Sequence, residues 1–129
     1  MTAAPRRPAV RHHRQARTST LVTLFAHAGL TYPRGMPTEP PDHYPRSASR
    51  LLLAMSRSHA GWSAQHVDTL LTGFGFLQRD SGAHTFYRHP AHPELALAVP
   101  RSRRLRPYLV ADAVRLIGQL LAAEAQEPQ

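Results

Sequence analysis

Apolar residues recur at helical spacing near both ends of the second half of the chain and alternate at strand spacing between them. Ser63 is placed as an N-cap, with Trp62 before it and Val67 four positions after it at hydrophobic-staple spacing. Val67, Leu70 and Leu71 then form one stripe, and Gly73 can end that helix in the left-handed region. Residues 74–79 predict a strand, Asp80, Ser81 and Gly82 a turn, and residues 84–89 a second strand closed by Pro90. Leu95, Leu97 and Val99 alternate with alanines, which predicts a third strand with one buried face, ended by Pro100. Pro107 suits the first position of a last helix, where Val110, Ala113, Val114, Ile117, Leu120 and Leu121 share a face and Gly118 is a mild defect. The expected class is therefore α+β, in the order α-β-β-β-α. A three-stranded antiparallel sheet carrying both helices on one face buries these stripes most simply and leaves its other face available for binding.

The first half reads differently. Through residue 50 there are eight arginines against two acids, a balance of +6, and seven of the twelve prolines. Such a stretch predicts a basic, proline-rich arm over residues 1–54, largely disordered, ahead of a compact unit at 55–125. Within the arm, Leu21, Leu24, Phe25 and Ala28 follow the capping candidates Ser19 and Thr20 at helical spacing, so a short helix is expected at 20–29. Arginines before that run, with Ala26-His27-Ala28 after it, also sketch a signal peptide. The apolar core is short and His27 interrupts it, so secretion is the weaker reading. Met36 and Met55 are candidate starts, which would make much of the arm a matter of start-site choice.

Composition sharpens the class of partner. The 129 residues carry 16 basic side chains, all arginine, against 8 acids, for a net charge of +8 with histidine neutral. A pI near 11.4 points to an anionic partner, with nucleic acid first, an acidic protein second and a membrane surface third. The absence of cysteine excludes a disulfide scaffold, a thiolate metal site and a cysteine nucleophile. No apolar run approaches the roughly 18 residues of a membrane-spanning helix.

The candidate site is Gly82-Ala83-His84-Thr85. Glycine allows a tight turn and the histidine starts a strand beside it. An imidazole exchanges protons near neutrality, which suits acid–base work on a ribose 2′-hydroxyl or a leaving oxygen. Arg79, Arg88, Arg101, Arg103, Arg104 and Arg106 lie around it in sequence and could hold a phosphodiester. Phe86 and Tyr87 could stack on unpaired bases, although strand alternation sends one of them to the core. His89 and His92 flank Pro90, yet without cysteine or a nearby pair of acids they read as surface histidines, and no metal or cofactor is expected. The bland alternative is a surface histidine beside a solvated arginine loop.

These residues also resemble a family. The run from Gly75 to Pro90, with Gly82-Ala83-His84 at its centre, and Leu-Ala-Leu-Ala-Val-Pro at 95–100 resemble HicA, the small toxin of HicA–HicB type II toxin–antitoxin systems. The likeness covers about 63–120 and implies a fold like the double-stranded RNA-binding domain. It further implies metal-independent mRNA cleavage in the cytoplasm, inhibition by a HicB-like antitoxin that covers the active site, a catalytic role for His84 and a turn role for Gly82. Ala83 stands where the family usually has serine, and the long basic arm is atypical. The alternative function is a non-catalytic module of the same fold that binds RNA or antitoxin.

Overall fold

The computed structural model describes residues 20–32 and 40–127. The leader before residue 20, with its arginines and histidines, and residues 33–39 lie outside the described residues. Within them the chain forms α1 (Thr20–Ala28), α2 (Arg46–Arg57), α3 (Ala64–Gly73), β1 (Leu77–Ser81), β2 (His84–Arg88), β3 (Ala96–Pro100) and α4 (Pro107–Gln126). No helix among the described residues is long and apolar enough to cross a membrane.

The expected α-β-β-β-α order is present as α3-β1-β2-β3-α4. The sheet is antiparallel throughout in the order β1-β2-β3. Ser63 caps α3 as its side chain predicts, accepting a hydrogen bond from the His66 N–H (3.3 Å). His66 completes a capping box by accepting the Ser63 N–H at Nδ1 (3.1 Å), the task a glutamate usually performs. Trp62 packs edge-on against the His66 ring, 5.0 Å between centroids, and its indole N–H donates to the Ser58 carbonyl.

The left-handed position that ends α3 lies two residues beyond the expected glycine. Gly75, at φ +93°, takes the left-handed position, and Gly73 is still helical. The Phe76 N–H bonds the Leu71 carbonyl and the Gly75 N–H bonds that of Thr72, the pattern of a Schellman cap. Phe76 and Leu71 are both buried, which supplies its apolar contact. The cap takes residues 74–76 out of the expected first strand, so β1 starts at Leu77; it then runs on through Asp80 and Ser81, which pair with Thr85 and His84, so the turn is Gly82-Ala83 and not residues 80–82.

The larger difference lies in the first half. α2 runs across the expected boundary at residue 54, with Ala48, Leu52 and Met55 buried, and α1 buries Leu21, Leu24 and Phe25. Both belong to the same core as α3 and α4. They form a second helical layer: α1 packs on α2 and α4, and α2 on α3 and α4. The arm's average composition hid this, because its apolar residues are concentrated in two short runs while arginine and proline dominate elsewhere. Tyr44 ties the segment before α2 to the last turns of α4 through a hydroxyl bond to Glu124 (2.6 Å). Burial and the Glu124 carboxylate both push the Tyr44 phenol up from its ordinary value.

Two glycines let these layers approach. A Cβ at Gly118 would lie 2.6 Å from the Leu24 side chain, so the expected defect in α4 is where α1 seats. A Cβ at Gly73 would meet the Ala48 Cβ at 2.5 Å, with no flexible side chain to yield. Gly73→Ala should therefore destabilise the protein by about 1–3 kcal/mol despite the helix propensity of alanine, a loss visible as a lower urea midpoint. Leu24→Ala should remove about 2–5 kcal/mol in the same assay. Wild-type stability in both variants would mean that α1 and α2 do not share the core.

Candidate nucleic-acid interface

The pairing register assigns each sheet side chain to a face. Leu77 pairs with Arg88 and Arg88 with Ala96; Arg79 pairs with Phe86 and Phe86 with Ala98; Ser81 pairs with His84 and His84 with Pro100. Directly paired residues share a face, so these residues form a three-by-three grid. Thr85, Tyr87 and Val99 point the other way and are buried against the helices. The grid faces away from the helical layers, with every position exposed except Pro100, which is half-buried.

The grid brings His84, Arg79 and Arg88 onto one surface. Its middle row holds Phe86, 39 % exposed, with the Arg79 guanidinium 5.9 Å from its ring centroid. The His84 ring lies 6.4 Å from the same ring. No carboxylate occupies any of the nine positions, and neither Arg79 nor Arg88 has an ion-pair partner among the described residues. A depression of about 470 Å³ lies here, bordered by Leu77, Arg79, Phe86, Arg88, Ala96 and Ala98. The alanines on β3 leave it open on that side. Gly82, at φ +62°, makes the turn that delivers His84 to the start of β2.

Of the two aromatic candidates, Phe86 is the exposed one. The Tyr87 ring is buried and its hydroxyl donates to Asp68 on α3 (2.7 Å). Burial and then the Asp68 carboxylate push that phenol up, so it stays a donor.

The remaining arginines are not on this surface as a group. Arg101 turns to the opposite side of β1, where its guanidinium meets Asp80 at 3.0 Å. Arg103 joins Arg101, Asp68, Asp80 and Gln78 around a wider groove of about 810 Å³ between the start of α3 and β1. The loop itself is pinned. The Arg101 N–H bonds the Ala83 carbonyl (3.0 Å), Ser102 accepts the Ala64 N–H, and the Leu105 N–H bonds the Trp62 carbonyl (2.8 Å) with its side chain buried. Arg104 and Arg106 are exposed along this connector, Arg106 directly before α4. Sequence reasoning missed Asp80, whose strand parity places it opposite Arg101, and the alanine shelf formed by Ala96 and Ala98.

His89 is not the surface histidine expected but a buried packing residue, because it follows Tyr87 on the inward parity of β2. Its ring lies edge-on to Phe76 (5.1 Å) and its Nδ1 accepts the Ala91 N–H (3.1 Å), which requires that nitrogen to be unprotonated. His92, 5.3 Å away between centroids, instead meets Glu127 at 3.1 Å. Among the described residues no group of three or more histidine, cysteine or acidic side chains is placed to hold a metal ion.

Comparison with known proteins returned nothing: no family model, curated protein or solved structure matches the chain.

Desolvation, followed by the charge of His92, lowers the His89 pKa below its ordinary value. The unfolded chain therefore binds a proton at His89 that the folded chain refuses. This contribution is constant well above the unfolded pKa of about 6.5 and becomes destabilising as pH falls through it, levelling off below the folded value. Proton-detected titration of the imidazoles should find one with a depressed midpoint, absent in His89→Gln. A His89 midpoint at or above 6.5 would contradict this assignment.

Proposed function

We propose that this chain is an endoribonuclease toxin of the HicA kind, with a core like the double-stranded RNA-binding domain, acting on mRNA in the cytoplasm and held in check by a HicB-like antitoxin. The observation that carries the reading is the grid: His84 shares an exposed, carboxylate-free sheet face with two arginines that have no ion-pair partner among the described residues. The motif resemblance around Gly82 and His84 adds the reaction class.

The chemistry asked of this surface is an in-line displacement at phosphorus. The ribose 2′-oxygen forms a bond to phosphorus as the bond to the 5′-oxygen breaks, giving a cyclic phosphate and a free 5′-hydroxyl. One proton leaves the 2′-hydroxyl and one arrives at the leaving oxygen. His84 would move one of these, while Arg79 and Arg88 would offset charge on the non-bridging oxygens. Arg103, Arg104 and Arg106, on the connector away from the grid, would engage phosphates further along the RNA, whereas Arg101 is already neutralised by Asp80. An antitoxin that inhibits by covering His84 would have to seat on the same grid and present acidic side chains to it.

One observation favours a binding-only module. The grid holds no second histidine and no carboxylate, so the partner in acid–base catalysis is not among its nine positions. Purified full-length protein and His84→Ala, incubated with a single-stranded RNA in EDTA, separate these readings. The proposal expects cleavage by the wild type and a loss of about 10²- to 10⁴-fold in the variant. Equal cleavage by both would remove His84 from the chemistry, binding without cleavage by either would favour the module, and activity lost only on adding EDTA would require a metal.

A further inference from the structure

We infer that Phe86 is the seat for an unpaired nucleobase, which makes single-stranded RNA the form recognised and the depression beside Phe86 the subsite that positions a strand next to His84. The inference rests on reading the grid as an RNA-binding face, and it adds which residue takes the base. An aromatic ring 39 % exposed at the centre of a sheet face is not required by the core, since Tyr87 supplies the buried ring of β2. Every base presents an apolar face that such a ring can stack on, and a duplex keeps those faces hidden.

The surroundings match a nucleotide strand in chemistry as well as shape. The depression of about 470 Å³ falls within the roughly 300–1,000 Å³ typical of small-molecule sites. Ala96 and Ala98 keep its β3 side low, so a flat ring can slide over Phe86 from that direction. Arg79, paired across from Phe86 on β1, and Arg88, two residues along β2 from it, both border the depression and are placed for phosphates next to the seated base, and no acid on the grid repels those phosphates. Arg79, already near the Phe86 ring, can extend the stack with its guanidinium plane. Two residues along β2, on the same face, His84 then faces the backbone of the seated nucleotide or its neighbour.

Binding is measured with full-length His84→Ala, so that cleavage does not consume the probe, using a short single-stranded RNA carrying one 2-aminopurine. Adding Phe86→Ala should weaken binding about 5- to 150-fold and abolish quenching of the 2-aminopurine, while Phe86→Trp should restore both. The salt slope should be unchanged by Phe86→Ala and reduced by about 0.7 for Arg79→Gln or Arg88→Gln, because only the arginines release counterions. Circular dichroism melts should match the parent, since Phe86 is exposed. Unchanged affinity in Phe86→Ala overturns the inference, as does tighter binding of the same sequence in duplex form. Binding of an acidic polypeptide that depends on Phe86 as strongly as RNA binding does would reassign the face to a protein partner. His84-dependent cleavage together with Phe86-independent binding removes the base seat and leaves the nuclease standing. Phe86-dependent binding with no cleavage by the wild type does the reverse.

Discussion

The burial of Tyr87, with its hydroxyl bonded to Asp68 at 2.7 Å, is the constraint on which the rest of the sheet's chemistry depends. A strand has a side-chain period of two, so placing Tyr87 against α3 sends His84, Phe86 and Arg88 to the other side together. Pairing then carries the same parity to β1 and β3, which puts Arg79 outside and Asp80 inside. A slip of β2 by one residue would bury His84, Phe86 and Arg88 and expose Thr85 and Tyr87. The ring and the hydrogen bond therefore hold the outer face in place without being part of it.

Charge is sorted by the same rule. Alternation along β1 separates Arg79 from Asp80 by one residue in sequence and by the thickness of the sheet in space. Arg79 consequently has no ion-pair partner among the described residues and lies beside Phe86, while Arg101 reaches Asp80 across the other face. The Asp80–Arg101 pair is mostly exposed and of small energetic value, but it withdraws one arginine from phosphate binding. Of the basic side chains that sequence grouped around His84, only those on the outward parity of the strands share its surface.

The helical layers make the sheet asymmetric. With α3 and α4 on one side and α1 and α2 behind them, all deep burial lies to one side and no element among the described residues covers the far face. Gly73 and Gly118 permit that stacking, and their value is visible only from the Ala48 and Leu24 atoms that approach them. The +6 balance of the first fifty residues consequently does not describe one uniform basic arm, since α1 lies within it and α2 begins in it, and both complete the core.

Much of the second half was legible in the sequence. Ser63 as cap, the stripes of α3 and α4, Pro107 as a helix start and the Gly82 turn follow from local sterics and hydrogen bonding, which depend on near neighbours alone. The left-handed position that ends α3 was misplaced by two residues because Gly73 and Gly75 are locally equivalent, and the burial of Phe76 against Leu71 selects Gly75. The sequence by itself determined the elements, their order and the presence of a histidine after a tight turn among arginines. Only the tertiary structure decided that residues 46–57 are core, that Phe86 rather than Tyr87 is exposed, and that Arg101 belongs to Asp80. Those outcomes depend on which distant surfaces meet, and a chain with period-two and period-3.6 patterns does not encode that meeting locally.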